Sequence, residues 1–246
     1  MDSTSFGNAG SISWSSCIPI AVPGLLPQVP GWLPKKDSPL TVRWRHLPTL
    51  APWLWRFVRS GSEAAVVRAA DALSMLHGPA LELHRELAAD AGVGDLIHTC
   101  GFLHLFPQAN SDRLSQLDWR LRTEHGTKLK LHDANSIAER IPQLARNYEQ
   151  AVEICDQGFT ADPSRLLGAY ARRFVALGGN IVRDDVSGFK FADNQVTGVQ
   201  TSSGTVTAQD VVVAAGPWSR KLVRELGADV PLDTERGYHV TVASAD

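Results

Sequence analysis

The first half of the chain is patterned mainly for helices. From residue 47 to 61, apolar side chains recur at helical spacing and define one face: Leu50, Trp53, Leu54, Phe57 and Val58. Residues 62–91 continue in helical composition, and Gly78-Pro79 predicts a break within that run. Residues 1–40 are rich in Gly, Pro and Ser, which predicts short turns with a helical turn at most.

Short strands are expected around one further helix in the middle of the chain. Residues 95–106 read as a strand that bends at Gly101. Residues 110–125 read as a helix capped by Asn110 or Ser111, and 128–132 as another short strand.

After Tyr148 the pattern changes to alternating strands and helices. Residues 151–155 predict a strand. Asp162-Pro163 opens a helix that Gly178-Gly179 ends, because Asp suits the N-cap, Pro the first turn and Gly the C-terminal end. The apolar residues of that helix predict its buried face: Leu166, Leu167, Tyr170, Ala171 and Phe174.

The last hundred residues predict a meander. A short strand is expected at 180–185, and then four strands within 189–216 separated by Asp-Asn and Ser-Ser-Gly turns. A helix from Pro217 to Leu226 and a closing strand at 236–242 complete the pattern.

Composition places the chain among ordinary globular proteins. It has 246 residues, 43% hydrophobic and 20% charged, and a formal net charge of −2, which does not favour a nucleic-acid partner. Three widely spaced cysteines favour a reduced, cytoplasmic setting. No apolar run approaches the ~18 residues of a membrane span, and the N-terminus lacks the pattern of a signal peptide.

The segment "DVVVAAGPWS" at 210–219 has the pattern of a ligand-binding strand end. Its β-branched run is typical of a strand buried on both faces, and Ala214, Ala215 and Gly216 would let a flat cofactor approach the backbone. Pro217 would begin a helix whose N–H groups could face an anion. A tight turn that binds nothing explains this spacing equally well.

Several segments together resemble one enzyme family. They are "TSFGNAG", "PGLLPQVPGWL", "LTVRWRHLPTLAPWLWRF", "DVVVAAGPWS" and "VPLDTERGYH", in the order that the family has. The chain resembles the glycine/D-amino acid oxidase superfamily of FAD-dependent oxidoreductases, and within it the small subunit of bacterial D-amino acid dehydrogenase.

The resemblance implies an α/β fold with α+β character, in which part of a Rossmann-like FAD-binding fold is joined to a substrate domain. It assigns residues 1–40 to a flavin-side loop region and 41–148 to the helical substrate domain. Residues 149–234 would be the FAD-binding portion, and 235–246 the start of the return to the substrate domain. No GxGxxG is present, so we expect a central piece that lacks the N-terminal βαβ unit and the C-terminal part.

The resemblance also implies site residues. Ser5, Asn8 and Gly10 match positions that approach the cofactor, and Val186 matches a residue whose backbone faces the adenine. The strand end and the aromatic after it match residues beside the cofactor: Ala214, Ala215, Gly216 and Trp218. The segment entering the substrate domain supplies the substrate-side residues, which are Arg236, Gly237, Tyr238 and His239. For Trp218 a structural role, and for His239 simple packing, remain open alternatives.

Enzymes of this kind remove a hydride from the carbon bearing the amine, and the imine product hydrolyses to a 2-oxo acid and ammonia. The flavin performs the redox step, while the protein orients the substrate. An amine oxidase of the glycine or sarcosine type, using oxygen, is the enzymatic alternative, and a non-catalytic remnant is the alternative of another class. Without the first βαβ unit we expect weak FAD binding and little activity.

The histidines and one basic segment bear on two further kinds of site, a metal site and a membrane contact. Eight histidines occur without an HExxH motif or a cluster of carboxylates, so no metal site is predicted. Residues 43–59 carry four arginines, no acidic residue and interleaved aromatics, which fits a peripheral contact with an anionic membrane and electron transfer to a quinone. The pattern favours the alternative, in which the aromatic face packs on the body of the protein.

Overall fold

The computed structural model describes residues 8–25, 27, 29–32, 45, 47–142, 144 and 147–232. The chain divides into two units, Met1–Arg173 and Phe174–Asp246. This division differs from the change of pattern near residue 148, and the functional assignment of the four segments remains a prediction. Within the described residues no helix is long and apolar enough to cross a membrane.

The first unit is built on a long antiparallel strand. The strands are β1 (Ser11–Ile12), β2 (Ile97–Phe106), β3 (Leu129–Asp133) and β4 (Gln150–Thr160). β2 pairs along one edge of β4, whereas β1 and β3 pair with opposite ends of the other edge. The register of β2 shifts between Cys100 and Phe102, which confirms the bend expected at Gly101.

Helices are interspersed with these strands along the chain. They are α1 (Val29–Trp32), α2 (Leu47–Ser60), α3 (Glu63–His77), α4 (Ala80–Asp90), α5 (Leu117–Glu124), α6 (Ala134–Arg140) and α7 (Pro163–Ala176). The break at Gly78-Pro79 is confirmed. The helix expected over 110–125 is shorter, because a 3₁₀ turn at Arg113–Ser115 precedes α5.

Three small clusters form the core of the first unit. α4 packs on α7 through Ala88, Leu166 and Ala169, and Trp119 of α5 covers Val152 and Ile154 of β4. The prediction that Leu167 and Phe174 lie on the buried face of α7 is wrong, because they are 45% and 51% exposed. The third cluster joins Cys17, Val66, Ala70 and Leu121.

The start of α7 is set by its sequence. The Arg165 N–H donates to Asp162 Oδ1 over 2.9 Å, so Asp162 caps the first turn as the sequence predicted. At the other end, the Gly178 and Gly179 N–H groups donate to Val175 and Phe174 carbonyls, which confirms the predicted end.

We expect Asp162→Ala to lower the free energy of unfolding by about 1 kcal/mol, because one first-turn N–H loses its acceptor. Asp162→Asn retains an acceptor oxygen, so its free energy of unfolding should fall by only a few tenths of a kcal/mol. Urea unfolding of both variants measures the difference. Equal losses in the two variants would contradict the cap.

The second unit contains an antiparallel meander and a short helix. β5 (Val186–Ala192), β6 (Gln195–Thr201) and β7 (Gly204–Thr207) pair in sequence order, and α8 (Ser219–Glu225) follows a 3₁₀ turn at Gly216–Trp218. Asp193 and Asn194 have φ of 48° and 62°, as a tight hairpin turn requires.

Two of the strand predictions for the second unit are wrong. Neither residues 180–185 nor 210–215 form a strand. Apolar β-branched runs become parallel strands only beside a neighbour that accepts and donates their backbone hydrogen bonds, and no described segment takes that place. The closing strand expected at 236–242 lies outside the described residues.

Candidate functional site

A cavity of about 730 Å³ lies in the second unit, where the sequence pattern places the cofactor. Its wall includes four predicted site residues: Val186, Ala214, Ala215 and Trp218. Gly216 is next in the chain, with φ of 54°, but does not line the cavity. The structure thus brings together residues that stand nearly thirty positions apart in the sequence.

The backbone along this wall is unpaired within the described part of the chain. Residues 209–214 make no backbone hydrogen bond to another described residue. Val212 is 88% exposed despite its apolar side chain. Backbone N–H and C=O groups flanked by alanines can therefore be approached closely by a planar ligand.

The helix after this segment does not provide the expected anion site. α8 begins at Ser219 rather than Pro217 and has seven residues. Gly216–Trp218 forms a 3₁₀ turn instead, and Trp218 stays largely exposed at the cavity. The cavity therefore offers a ligand the alanines of 214–215, unpaired backbone groups, the aromatic rings of Phe189 and Trp218, and the ammonium group of Lys221.

Asp184 adds a fixed negative charge to the same wall. It accepts hydrogen bonds from the Ser202 hydroxyl and from the backbone N–H groups of Asp185 (2.8 Å) and Ser203 (3.1 Å). Hydrogen bonds from Ser202, with those from Thr201 and Ser203, hold the pKa of Asp184 well below its ordinary value. The carboxylate ties the end of 180–185 to the β6–β7 turn, close to Val186.

The loop carrying Asn8 and Gly10 borders a second cavity, of about 290 Å³, in the first unit. The Gly10 N–H donates to Asn8 Oδ1 over 2.7 Å, and the Thr160 N–H donates to the Gly10 carbonyl over 2.8 Å. Gly10 has φ of 72°, and a Cβ built on it would lie 2.3 Å from the Thr160 carbonyl oxygen. Only glycine suits this close approach.

Thr160 shows that the second cavity has an unused polar group. Its side-chain Oγ1 is buried and has no hydrogen-bond partner among the described residues. Tyr170 and His84 also line this cavity, with the Tyr170 hydroxyl 3.3 Å from His84 Nδ1. A buried hydroxyl without a partner is costly, so this oxygen marks a polar point beneath the cavity wall.

These observations fit FAD, which the resemblance implies. One part of the larger cavity's wall is formed by Ala214 and Ala215, where a nucleotide could approach the backbone, and the loop of Asn8 and Gly10 has a glycine that no side chain could replace without a clash. Ser5 and the substrate-side residues Arg236, Gly237, Tyr238 and His239 lie outside the described residues. Their assignment remains a prediction.

The sequence interpretation missed three polar residues that the fold brings together in the first unit. Arg140 of α6 donates to both carboxylate oxygens of Glu153, over 2.6 and 2.8 Å, and His132 Nε2 lies 2.8 Å from Glu153 Oε2. The carboxyl side chain of Glu153 is 8% exposed. A single acid within the apolar run of 151–155 was the available signal.

The charge on Glu153 is strongly stabilised. Hydrogen bonds from Arg140, together with His132, lower the pKa of Glu153 to about 2. None of the three residues lines either cavity described above. We therefore assign these three residues to the stability of the first unit.

Among the described residues, no three His, Cys, Asp or Glu side chains lie together as a metal site would require.

Curated proteins similar to this chain include oxidases and dehydrogenases of D-amino acids. A D-amino-acid oxidase of Bradyrhizobium diazoefficiens is 39% identical over 98% of this chain and 58% of its own length. A D-amino acid dehydrogenase of Rhizobium rhizogenes is 26% identical over 99% of this chain and 59% of its own length. The chain thus spans just under three fifths of the length of these relatives.

Solved structures agree with the fold. A glycine oxidase from Bacillus cereus has a TM-score of 0.50 and 27% identity, covering 58% of this chain and 39% of its own. An L-amino acid deaminase from Proteus myxofaciens has a TM-score of 0.55 and 22% identity, covering 65% of this chain and 37% of its own, which shows the fold alone.

The family comparison covers nearly the whole chain. The sequence model of the DAO family, described as FAD dependent oxidoreductase, matches residues 4–246. It includes both the loop of Asn8 and Gly10 and the segment 214–216. The chain therefore belongs to the DAO family of FAD-dependent oxidoreductases.

Proposed function

We propose that this chain takes part in the FAD-dependent oxidative deamination of D-amino acids, or of a related amine, to 2-oxo acids and ammonia. The observation that carries the proposal is the cavity where Val186 meets the alanines of 214–215, in a chain of a flavin-dependent family. Similarity to a D-amino-acid oxidase and to D-amino acid dehydrogenases supports the substrate class.

Within this proposal, FAD supplies the two-electron chemistry, and the chain binds it and excludes competing reactions. Val186, Ala214 and Ala215 would hold the nucleotide through backbone groups, and Trp218 would cover it. The family resemblance also assigns Ser5, Asn8 and Gly10 to cofactor binding, and this assignment is part of the proposal. Arg236 to His239 would face the substrate, where an arginine suits an amino acid carboxylate.

Ala214→Phe is expected to weaken FAD binding by roughly tenfold or more, about 1.4 kcal/mol. The new ring would occupy the cavity wall, whereas the exposed position of Ala214 should leave folding intact. Quenching of flavin fluorescence on titration with the chain measures the affinity.

The matched control is Ala208→Phe, an alanine of the same unit that does not line the cavity. Its affinity for FAD should equal that of the unchanged chain. If Ala214→Phe binds FAD as well as the control does, the cavity is not the nucleotide site.

The acceptor of the electrons separates the two enzymatic alternatives. We propose a quinone or another acceptor, as in a dehydrogenase, with a glycine- or sarcosine-type oxidase using oxygen as the alternative. With FAD in excess, reduction of a soluble quinone analogue by D-alanine without oxygen uptake supports the dehydrogenase. Oxygen uptake that yields hydrogen peroxide, with glycine or sarcosine preferred, supports the oxidase.

A non-catalytic role is the alternative of another class. A chain that gives no flavin absorption after equilibration with excess FAD and gel filtration, and no turnover with FAD present, would support it.

The proposed location is cytoplasmic and peripheral at the inner face of the inner membrane, through residues 43–59. That location would suit electron transfer to a quinone.

A further inference from the structure

A third cavity, of about 380 Å³, lies beside the first half of α4 in the first unit. Its lining includes Leu81, which is buried, and Trp14, which is half-buried. None of its lining residues borders the two cavities described above. Its volume lies in the range of about 300–1,000 Å³ that is usual for small-molecule sites.

Arg85 is the positive group of the third cavity, and two contacts hold its side chain in place. The guanidinium donates hydrogen bonds to the Glu82 carboxylate of the same helix and to the Thr99 hydroxyl of β2. A guanidinium has more N–H donors than these two contacts use, so donors remain for a ligand. Because the arginine is already fixed, it can bind a carboxylate with little further loss of side-chain freedom.

Two carboxylates, of Glu82 and Asp156, line the same cavity. The pairing of β2 with β4 places Thr99 opposite Gly158, and this brings Asp156 close to the side chain that holds the arginine. Lys128 Nζ lies 3.5 Å from Asp156 Oδ2, but both side chains are largely exposed, so the ion pair is weak. The carboxylate oxygens of Asp156 can therefore accept hydrogen bonds from a ligand as well.

The backbone at Asp156 is strained. Its φ of 59° lies in the left-handed region, which residues other than glycine seldom adopt. The Trp14 indole N–H donates to the Asp156 carbonyl over 2.8 Å and helps to hold this conformation. Residues held in strained conformations by surrounding contacts are concentrated at functional and ligand-binding sites.

We propose that the third cavity binds a small zwitterion of the α-amino acid class, with its carboxylate at Arg85 and its ammonium group at Glu82 and Asp156. A ligand with only a negative charge would meet the two carboxylates, and one with only a positive charge would meet the arginine. A zwitterion complements both signs. This inference goes beyond the proposed oxidation, because binding here requires neither FAD nor turnover, and its failure would leave the proposed oxidation standing.

The indole N–H of Trp14 provides a local measurement of binding. In proton–nitrogen correlation spectra of the full chain without FAD, Trp14→Phe identifies the Trp14 resonance among those of the seven tryptophans. Titration with glycine should shift that resonance along a saturable curve, with a dissociation constant in the millimolar range because the charges are exposed. Acetate and methylamine, which each lack one charge of glycine, should bind more weakly by roughly tenfold or more.

Arg85→Gln should weaken glycine binding by roughly tenfold or more, because a charge-assisted contact is lost. Glu82→Gln/Asp156→Asn tests the other end of the ligand, with a similar loss expected, and asparagine tolerates the left-handed conformation at 156. The matched control is Arg165→Gln/Asp95→Asn, which removes an exposed ion pair of 3.4 Å that does not line the cavity. It should bind glycine like the unchanged chain, and circular dichroism confirms folding of every variant.

Three results would overturn the proposal. They are the absence of a Trp14 shift at glycine concentrations well above the millimolar range, equal affinity for acetate or methylamine, and an equal loss of binding in the control variant. A shift confined to the Trp218 resonance would also overturn it, because glycine would then bind at the larger cavity of the second unit.

Discussion

Glu153→Gln is expected to lower the free energy of unfolding at pH 7 by about 2 kcal/mol. A folded-state pKa of about 2 corresponds to roughly 3 kcal/mol. The Arg140 guanidinium is 48% exposed, so water screens part of its interaction with Glu153 and the measured loss should be smaller. Urea unfolding at pH 7 measures it.

The stability lost in Glu153→Gln should become smaller as the pH falls. Because folding lowers the pKa of Glu153, its stabilisation is complete above the ordinary value of 4.5 and is lost as the pH falls through about 2. By about pH 3, less than half of the difference between the unchanged chain and Glu153→Gln should remain. A difference that stays constant from pH 7 to pH 3 would contradict this account.

Glu63→Gln provides the control for a general effect of removing an acid. Glu63 is 3.4 Å from Arg120 and both side chains are largely exposed. Such surface pairs contribute little, so the control should change the free energy of unfolding by no more than about 0.5 kcal/mol.

Gly10→Ala is expected to destabilise the first unit by about 3 kcal/mol and to weaken FAD binding. The new Cβ would adopt a left-handed backbone conformation and would overlap the Thr160 carbonyl oxygen, so both strain and a backbone shift contribute. The loop at Asn8 would then move relative to the buried Thr160 hydroxyl. Urea unfolding and FAD titration measure the two effects.

Comparison with Gly24→Ala separates the cost of backbone strain from the cost of the close contact between position 10 and the Thr160 carbonyl. Gly24 has φ of 81°, but no atom of the described residues lies within 4 Å of a Cβ built there. Its loss should be about 1 kcal/mol, from backbone strain alone. If Gly10→Ala costs no more than Gly24→Ala, the contact with Thr160 does not constrain the loop.

Local signals predicted much of the fold. The Asp162 cap, the Gly178-Gly179 end and the Asp193-Asn194 turn are each determined by residues within a few positions of one another, and all three appear in the structure. The glycine at the bend of β2 likewise marks its own register shift.

Features that depend on distant partners were not predictable in this way. The run at 211–213 has the composition of a strand, but strand formation also needs a neighbour, which the run itself does not specify. The ion pairs of Glu153 join residues 13 and 21 positions away across β3, β4 and α6. The exposure of Leu167 and Phe174 also depends on what covers α7 rather than on their own spacing.

The residues of the candidate site also divide into those that local sequence predicts and those that depend on contacts made on folding. The small residues at 214–216 were predicted from their size, because a close approach to a cofactor requires small residues, and Gly10 was predicted from the family resemblance. Asp184 and Thr160 were missed, since their importance comes from hydrogen bonds made, or left unmade, after folding.

Anaerobic reduction of the bound flavin tests the central claim most directly. With FAD in excess and oxygen removed, D-alanine should slowly bleach the visible absorption of the fraction of flavin that the chain binds, and L-alanine should leave it unchanged; the slow rate follows from the little activity expected of this chain. Bleaching by the L-isomer alone, or no bleaching by D-amino acids, glycine or sarcosine while fluorescence titration shows the flavin to be bound, would contradict the account.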